Sequence, residues 1–176
     1  LSMNLYKLLE KVQFHGFSLA LIRKFAWQLL KTLAFLSHDA IGIVHCDLKP
    51  ENICLRQPEY NTIKLIDFGS SCERDKRLYS YIQSRYYRSP EVMLGVPYGC
   101  QVDMWSLGCV LVELHTGEPL FPGVDQWEQL LRVIAMVGRP PDALVDRAPR
   151  DVRRRFFEAA DDGDGAAEPP AADADA

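Results

Sequence analysis

Residues 101–116 form the segment that most constrains the fold, because their side chains leave little polar surface on a helix. Met104, Leu107, Val110 and Leu114 recur through it, and Gly117 follows at the position where a helix commonly ends. A helix that is apolar nearly all round must be buried nearly all round. The sequence therefore predicts a domain in which other elements enclose this helix.

Further helices and short strands are predicted before and after that segment. Apolar residues at helical spacing predict helices over residues 4–12, over residues 18–38 with Ser18 as the N-cap, and over residues 126–137 up to Gly138. Branched residues between polar loops predict three strands of one small sheet, at residues 41–44, 53–55 and 62–66. Strands this short usually frame a loop.

The composition is that of a globular protein. Of the 176 residues, 48% are apolar and 25% are charged, which excludes disorder throughout. The formal charge of −4 is uneven, because residues 159–176 carry six of the 24 acidic residues and none of the 20 basic ones. The rest of the chain is mildly basic, so charge alone indicates neither a nucleic-acid partner nor an acidic scaffold. Residues 159–176 contain only Ala, Asp, Gly, Pro and Glu, which predicts a disordered tail.

Cysteine usage and hydropathy bear on where the protein acts. The five cysteines are widely spaced, form no C-x-x-C pair and follow no secretory leader, which favours a reduced intracellular compartment, cytoplasm or nucleus. No apolar run approaches the roughly 20 residues of a membrane span, so no membrane partner is expected. The run Arg153-Arg154-Arg155 is interpreted as a solvated helix face or a linker, and no nucleic-acid partner is expected.

One group of polar residues indicates chemistry. The segment His45-Cys46-Asp47-Leu48-Lys49-Pro50-Glu51-Asn52 is followed by Asp67-Phe68-Gly69. Phosphoryl transfer needs a carboxylate to accept a proton, a cation near the transferred group and oxygen ligands for Mg²⁺. Both loops follow short strands, so one groove could receive all these side chains. Any of them alone could be an ordinary loop residue, but the spacing D-L-x-x-x-N with D-F-G favours the catalytic interpretation.

These motifs, with Ser89-Pro90-Glu91 and Asp103-Met104-Trp105-Ser106-Leu107-Gly108, resemble the C-terminal lobe of a eukaryotic protein kinase. Cys46, Ser70-Ser71-Cys72 and the segment of residues 79–88 are similar to the dual-specificity tyrosine-regulated kinases, the DYRK family of the CMGC group. The resemblance covers residues 1–144. It implies a protein-kinase-like α+β fold: a mainly helical C-terminal lobe with short strands around the catalytic loop.

The resemblance also implies roles for individual residues. Asp47 would be the catalytic base and Lys49 would steady the transferred phosphoryl group, while Asn52 and Asp67 would bind Mg²⁺. ATP and protein substrates are the implied partners, with transfer to Ser or Thr. The residues that it places around the nucleotide are Leu1, Asn4, Glu51, Asn52, Cys54 and Asp67. Because the family usually has Leu beneath the adenine where this chain has Cys54, we expect a looser nucleotide fit.

The activation segment carries a second hypothesis. A phosphate on Tyr81 would need cations, and Arg85 and Arg88 follow closely enough to supply charge-assisted hydrogen bonds. Cys46 cannot supply one, since it replaces the arginine that most kinases have there. The resemblance implies that the kinase phosphorylates this tyrosine itself; the alternative is that Tyr79 and Tyr81 are ordinary half-buried loop aromatics.

The resemblance further implies structural roles for three residues, and the positions of two cysteines add a redox hypothesis. His45 and Phe68 would pack together, and Asp103 would anchor the backbone of the catalytic loop. Cys46 adjoins the base and Cys72 follows D-F-G, so the two thiols are expected to face each other, with a regulatory disulfide as one hypothesis.

Two functions therefore remain open. The 176 residues contain no Gly-rich loop, strand Lys or helix Glu, the parts of a kinase that would precede the hinge. We expect residues 1–146 to be a partial kinase domain without its N-terminal lobe, followed by a basic segment at 147–158 and the acidic tail at 159–176. The chain alone is then expected to be inactive. The alternative is a non-catalytic protein that uses the kinase lobe as a binding module.

Overall fold

Helix α4, Gln101–Thr116, is half buried in the structure, a computed structural model that describes residues 2–57, 60–76 and 81–157. Leu107, Val110 and Leu114 are buried, and Gly117 ends the helix in the left-handed region at φ 89°. Met104 is exposed, whereas three polar side chains of the helix are buried: Asp103, Ser106 and Glu113. The predicted buried helix is confirmed, and its polar residues are directed inward to the site described below.

Helix α2, Leu19–Ser37, packs against α4 and supplies the other half of the main core. Ser18 is the N-cap, as predicted, because its hydroxyl accepts a hydrogen bond from the Leu21 amide. Phe25, Leu29 and Leu33 lie on its buried face. The opposite face of this helix remains in solvent.

Shorter helices surround this pair. The helices are α1, Leu5–Lys11; α3, Pro90–Met93; α5, Gln126–Val137; α6, Asp142–Val145; and α7, Arg150–Phe157. Asn4 and Asp125 begin α1 and α5 by accepting hydrogen bonds from the Lys7 and Glu128 amides. The basic run at 153–155 lies on α7, whose Phe156 stacks on Trp127 of α5 with ring centroids 4.9 Å apart. Within the described residues, no helix is long and apolar enough to cross a membrane.

The short strands form two antiparallel sheets. One sheet has the order β1, Met3–Asn4; β3, Ile53–Gln57; and β4, Tyr60–Leu65. The other pairs β2, Ile43–Val44, with β5, Cys72–Glu73. The prediction of one sheet was therefore wrong, because a two-residue strand after D-F-G has no sequence pattern that reveals it as the partner of β2. The predicted strands are otherwise present, with bounds that differ by one or two residues.

Some predictions lie outside the described residues. They concern Leu1, Tyr79 and the tail at 159–176. All other candidate site residues are described.

Candidate active site

The loop that follows β2 is held by a buried carboxylate from α4. Oδ2 of Asp103 accepts a hydrogen bond from the His45 amide at 2.7 Å, and Oδ1 accepts one from the Cys46 amide at 3.0 Å. Burial raises the pKa of Asp103, while these two amide donors favour its charged form. Cys46 has a left-handed backbone at φ 67°, so the two hydrogen bonds hold an unfavourable conformation. The predicted anchoring role of Asp103 is confirmed.

Asp47, Lys49 and Asn52 meet in one hydrogen-bonded cluster. Nζ of Lys49 lies 3.0 Å from Oδ2 of Asp47, and Nδ2 of Asn52 donates to the same oxygen at 3.0 Å and to the Asp47 carbonyl at 2.9 Å. The Asp47 and Lys49 side chains are only partly exposed. The cluster therefore holds the carboxylate in one orientation, with one edge still open to a cavity.

Ser84 completes this cluster from a distant part of the chain. Its hydroxyl donates to Oδ1 of Asp47 at 2.7 Å and accepts a hydrogen bond from Lys49 at 2.9 Å. No motif in the sequence predicts this role for Ser84. The contact depends on a tight turn at Gln83, which has φ 66° and whose amide donates to the Cys46 carbonyl.

Asp67 is joined to the catalytic loop through the backbone. The Ile66 amide donates to the Asn52 carbonyl at 2.9 Å. The Asp47 amide donates to Nδ1 of His45, so the ring proton is on Nε2. Nε2 of His45 then donates to the Ile66 carbonyl at 3.0 Å. His45 also packs edge to face on Phe68, with ring centroids 4.9 Å apart, as predicted. These contacts bring Asn52 and the exposed Asp67 to one edge of the site.

The donor atoms at this edge fit Mg²⁺. Because the amide nitrogen of Asn52 is used on Asp47, its oxygen remains as a hard ligand, and Asp67 adds a carboxylate. Within the described residues no cluster of three His, Cys, Asp or Glu side chains could hold a metal without other ligands. Mg²⁺ commonly takes one or two protein oxygens and completes its shell with phosphate oxygens and water. Two protein ligands and a nucleotide would satisfy that requirement.

Three further residues are predicted to contact the nucleotide: Asn4 and Cys54, which lie on the first sheet, and Glu51, which lies on the turn before β3. Asn4 and Cys54 are paired between β1 and β3, where Cys54 is buried and burial raises its thiol pKa. The Asn4 side chain is already used as the cap of α1. Glu51 lines the open cavity together with Glu113 of α4.

Glu51 and Glu113 form an acidic pair that sequence analysis missed. Glu113 is 3% exposed and accepts a hydrogen bond from the Tyr87 hydroxyl at 2.7 Å. Burial and, to a smaller extent, the charge of Glu51 raise the pKa of Glu113 to about 7. Oε2 of Glu51 is buried without a hydrogen-bond partner among the described residues. The signal that could have revealed the pair was a single acidic residue late in an otherwise apolar helix.

The activation segment places Tyr81 on Arg88. The guanidinium carbon lies 3.9 Å from the Tyr81 ring centroid, and the Arg88 side chain is 2% exposed. Arg88 donates to the carbonyls of Ile82 and Gln83 and to Oε1 of Gln126. Arg85 donates to the Val124 carbonyl. The structure therefore brings Tyr81 and Arg88 into contact through the ring face.

Cys46 and Cys72 face each other beneath the catalytic loop, as expected. Their sulfur atoms are 3.7 Å apart, both residues are buried, and both thiols are free. Burial is the main cause that raises the pKa of the Cys46 thiol, and the neighbouring Cys72 is the second. A protonated thiol is a poor nucleophile, so burial disfavours reaction of Cys46.

One open cavity of about 1120 Å³ connects most of these groups. Asp47, Lys49, Glu51 and Glu113 line part of it, and Tyr6 and Phe14 line another part. The cavity is open to solvent and has both a carboxylate and a cation at its wall.

Comparisons with known proteins agree with this geometry. The family described as "Protein kinase domain" matches residues 2–152. The Drosophila melanogaster protein "Dual specificity tyrosine-phosphorylation-regulated kinase 2" is 53% identical over 161 residues, which are 92% of this chain and 22% of that relative. The chain thus spans about a fifth of the relative's length. By fold, by loop geometry and by this similarity, the chain belongs to the protein kinase domain family, in its dual-specificity tyrosine-phosphorylation-regulated branch.

Proposed function

We propose that the chain is part of a protein kinase that transfers the γ-phosphate of ATP to Ser or Thr hydroxyls of protein substrates, with Mg²⁺ as cofactor. The observation that carries the proposal is the cluster of Asp47, Lys49, Asn52 and Ser84, in which every distance is between 2.7 and 3.0 Å. A purely structural loop has no need to hold a carboxylate and a cation together at the wall of an open cavity.

Asp47 is proposed to receive the proton of the attacking hydroxyl. Its carboxylate is oriented by Asn52 and by Ser84, and a substrate hydroxyl entering the cavity could donate to it as the Ser84 hydroxyl does. Lys49 would lie beside the transferred phosphoryl group, where its charge offsets the negative charge of the phosphate oxygens. Both residues act mainly by position, as is usual in phosphoryl transfer.

Asn52 and Asp67 would hold Mg²⁺, and Leu1, Asn4 and Cys54 would lie near the nucleotide base. When bound, Mg²⁺ neutralises phosphate charge and orients the nucleotide. Asn52 and Asp67 would contribute two oxygen ligands to the ion, and Cys54 would contribute an apolar contact to the base. Glu51, in contrast, is better suited to the protein substrate than to ATP.

The acidic pair favours a substrate with a basic residue near the acceptor hydroxyl. Glu51 and Glu113 both line the cavity, and one carboxylate oxygen of Glu51 is buried without a partner among the described residues. A guanidinium could satisfy that oxygen and offset the repulsion between the two acids. Arginine would therefore bind here more tightly than a neutral residue.

Tyr81 is proposed as a site of autophosphorylation. It is half-exposed and lines the same cavity as Asp47, and Arg88 lies against its ring. A phosphate on Tyr81 would bring an anion to a buried guanidinium whose hydrogen bonds in the described part of the chain go to neutral acceptors.

A chimera tests this function. The segment of the Drosophila relative that precedes its matched region is fused to this chain, and transfer from labelled ATP to Ser, Thr and Tyr peptides is measured. We expect transfer to Ser and Thr, reduced about 10²- to 10⁴-fold by Asp47→Asn. The matched control is Asp39→Asn, which changes an exposed acid outside the cavity. A chimera that folds and binds ATP but transfers nothing would instead favour a binding module.

A further inference from the structure

We propose, on the basis of the function proposed above, that Tyr6 and Phe14 form a subsite for one apolar side chain of the protein substrate. The occupant is Leu, Ile, Met or Val in the same polypeptide that presents its hydroxyl to Asp47. The subsite would lie beyond the acidic pair of Glu51 and Glu113, so the substrate would carry a hydroxyl, a basic residue and an apolar residue in that order.

The two aromatic side chains are exposed together. Tyr6 is 40% exposed and Phe14 is 39% exposed, and their rings meet edge to face with centroids 5.8 Å apart. Single exposed apolar residues are ordinary on a protein surface. A pair that lines, with Pro119, the cavity that also contains Asp47 is an apolar surface in the space that the proposed function assigns to a polypeptide.

The backbone at Phe14 is held in an unfavourable conformation. Gln13 and Phe14 both have left-handed backbones, at φ 52° and 55°. Non-glycine residues seldom adopt this region, and two in succession require support from the surrounding fold. The Phe14 ring is not buried in the hydrophobic core, because it lines the open cavity. The conformation therefore maintains an aromatic surface instead of burying it.

Backbone contacts supply that support. The Phe14 amide donates to the Leu9 carbonyl, and the Phe14 carbonyl lies so close to Gly117 that a Cβ there would be 1.7 Å from its oxygen. A Cβ on Gly16 would likewise lie 1.9 Å from the His115 carbonyl oxygen. The turn is thus clamped to the carboxyl end of α4, and the position of the Phe14 ring is preorganised.

The acidic pair connects this surface to the catalytic loop. Helix α1, which carries Tyr6, packs against the turn that contains Glu51. Gly117, which contacts Phe14, follows Glu113 by one helical turn. A substrate that reaches from Asp47 past the two acids therefore arrives at the two rings, and this continuity with the active site identifies substrate as the occupant.

Peptide binding to the 176-residue chain tests the subsite without requiring catalysis. Short fluorescent peptides contain one Ser, one Arg and otherwise Ala, and a single Leu is moved through every other position. We expect one position, on the far side of Arg from Ser, at which Leu tightens binding roughly tenfold over Ala, as burial of a large part of one Leu side chain would do. Fluorescence anisotropy gives the dissociation constants.

Two substitutions at one site and a matched control locate the effect. Phe14→Ala should abolish the gain from Leu, and so should Phe14→Asn, which removes the ring but tolerates the left-handed backbone. Phe35→Ala removes a 63% exposed Phe of α2 outside the cavity and should leave the gain unchanged. Circular dichroism checks that each variant is folded.

The outcomes separate this subsite from the proposed function. Arg-dependent binding without a gain from Leu at any position, or a gain that survives both Phe14 substitutions, overturns the subsite and leaves the kinase proposal intact. If Leu tightens peptide binding to the wild type but not to either Phe14 variant, the subsite is supported, even where the chimera transfers no phosphate. Loss of self-association instead of peptide affinity in Phe14→Ala would assign the rings to a second copy of the chain and also overturn it.

Discussion

The carboxylate of Asp103 accepts the amide hydrogen of Cys46 at 3.0 Å, across 57 residues of sequence. Together with its bond to the His45 amide, this contact fixes the backbone from which Asp47 projects. The geometry of the catalytic loop therefore depends on the buried helix α4 and not on the loop sequence alone.

Asp103→Ala should destabilise the fold by about 2–5 kcal/mol, because it leaves two buried amides without an acceptor. Urea unfolding followed by circular dichroism measures the free energy of unfolding. Asp103→Asn is the matched control, since it retains one acceptor oxygen, and we expect it to lose about half as much. Equal stability of wild type and Asp103→Ala would contradict the anchoring role.

Oxidation should join Cys46 to Cys72. With hydrogen peroxide the two thiols would lose two hydrogens to form one S–S bond, and the peroxide would become water. Because burial raises the pKa of Cys46, we expect the reaction to be slow in the native state and faster in mild denaturant. Peptide mapping detects the linked pair.

Cys109 is the comparison for that experiment. It is also buried, and burial raises its thiol pKa to about 12, but none of the thiol contacts described above involves it. It should remain alkylatable after oxidation once the chain is unfolded. Full alkylation of Cys46 and Cys72 under the same conditions would exclude the disulfide.

A phosphate on Tyr81 should stabilise the chain. Phosphotyrosine can be installed at position 81 by genetic code expansion, which avoids any need for catalysis. We expect the free energy of unfolding to rise by about 1–3 kcal/mol, from charge-assisted hydrogen bonds to arginine. Arg85→Gln should reduce the gain, and its effect on the unphosphorylated chain, which loses the hydrogen bond to the Val124 carbonyl, is measured separately and subtracted. A phosphorylated chain that is less stable than the unmodified one would contradict the arrangement.

The residues of the candidate site differ in how far sequence could predict them. The motifs at 45–52 and 67–69 predict which side chains meet, because short strands with adjacent loops leave few alternative placements. Ser84 and Glu113 could not be predicted in the same way. Ser84 reaches Asp47 through the turn at Gln83, and Glu113 becomes part of the site only because α4 turns one polar side toward the cavity.

Nucleotide affinity should rise when Cys54 is replaced by Leu. Leu offers more apolar surface than Cys, which at about 0.8 kcal/mol per buried CH₂ group corresponds to roughly a 5- to 20-fold tighter ATP dissociation constant. The chimera described above is the protein to measure, by titration with a fluorescent ATP analogue. Because Cys54 is buried, the thermal stability of the Cys54→Leu variant is measured in parallel. Unchanged affinity in a stable Cys54→Leu variant would reject the predicted looser fit.

The chain alone should transfer no phosphate. Its 176 residues include Asp47, Asn52 and Asp67 but no Gly-rich loop and no strand Lys to hold the nucleotide phosphates. Labelled ATP and a Ser peptide, with the chimera as the positive control, give the measurement. Transfer by the purified chain that Asp47→Asn abolishes would show that the remaining residues suffice.

Stability should fall with rising pH through the titration of Glu113. Its pKa is raised to about 7 by burial and by Glu51, whereas an unfolded chain would have the ordinary value of 4.5. Between these values the folded chain holds a proton that the unfolded chain has lost, so the free energy of unfolding decreases as pH increases. The contribution is fully present below pH 4.5 and is lost as pH rises through about 7.

Glu113→Gln isolates this effect, because its amide oxygen can still accept the Tyr87 hydroxyl but cannot ionise. We subtract the free energy of unfolding of Glu113→Gln from that of the wild type at each pH. This difference should fall by about 3 kcal/mol or less between pH 4.5 and pH 8. At higher pH it should be constant. Urea unfolding at a series of pH values measures it. Since Glu51 and Tyr87 face the same carboxylate, a basic peptide bound at the acidic pair should lower the Glu113 pKa and flatten the difference at neutral pH. A difference that rises with pH would contradict the raised pKa of Glu113. A difference that does not respond to the peptide would mean that Glu113 does not lie beside the bound basic residue.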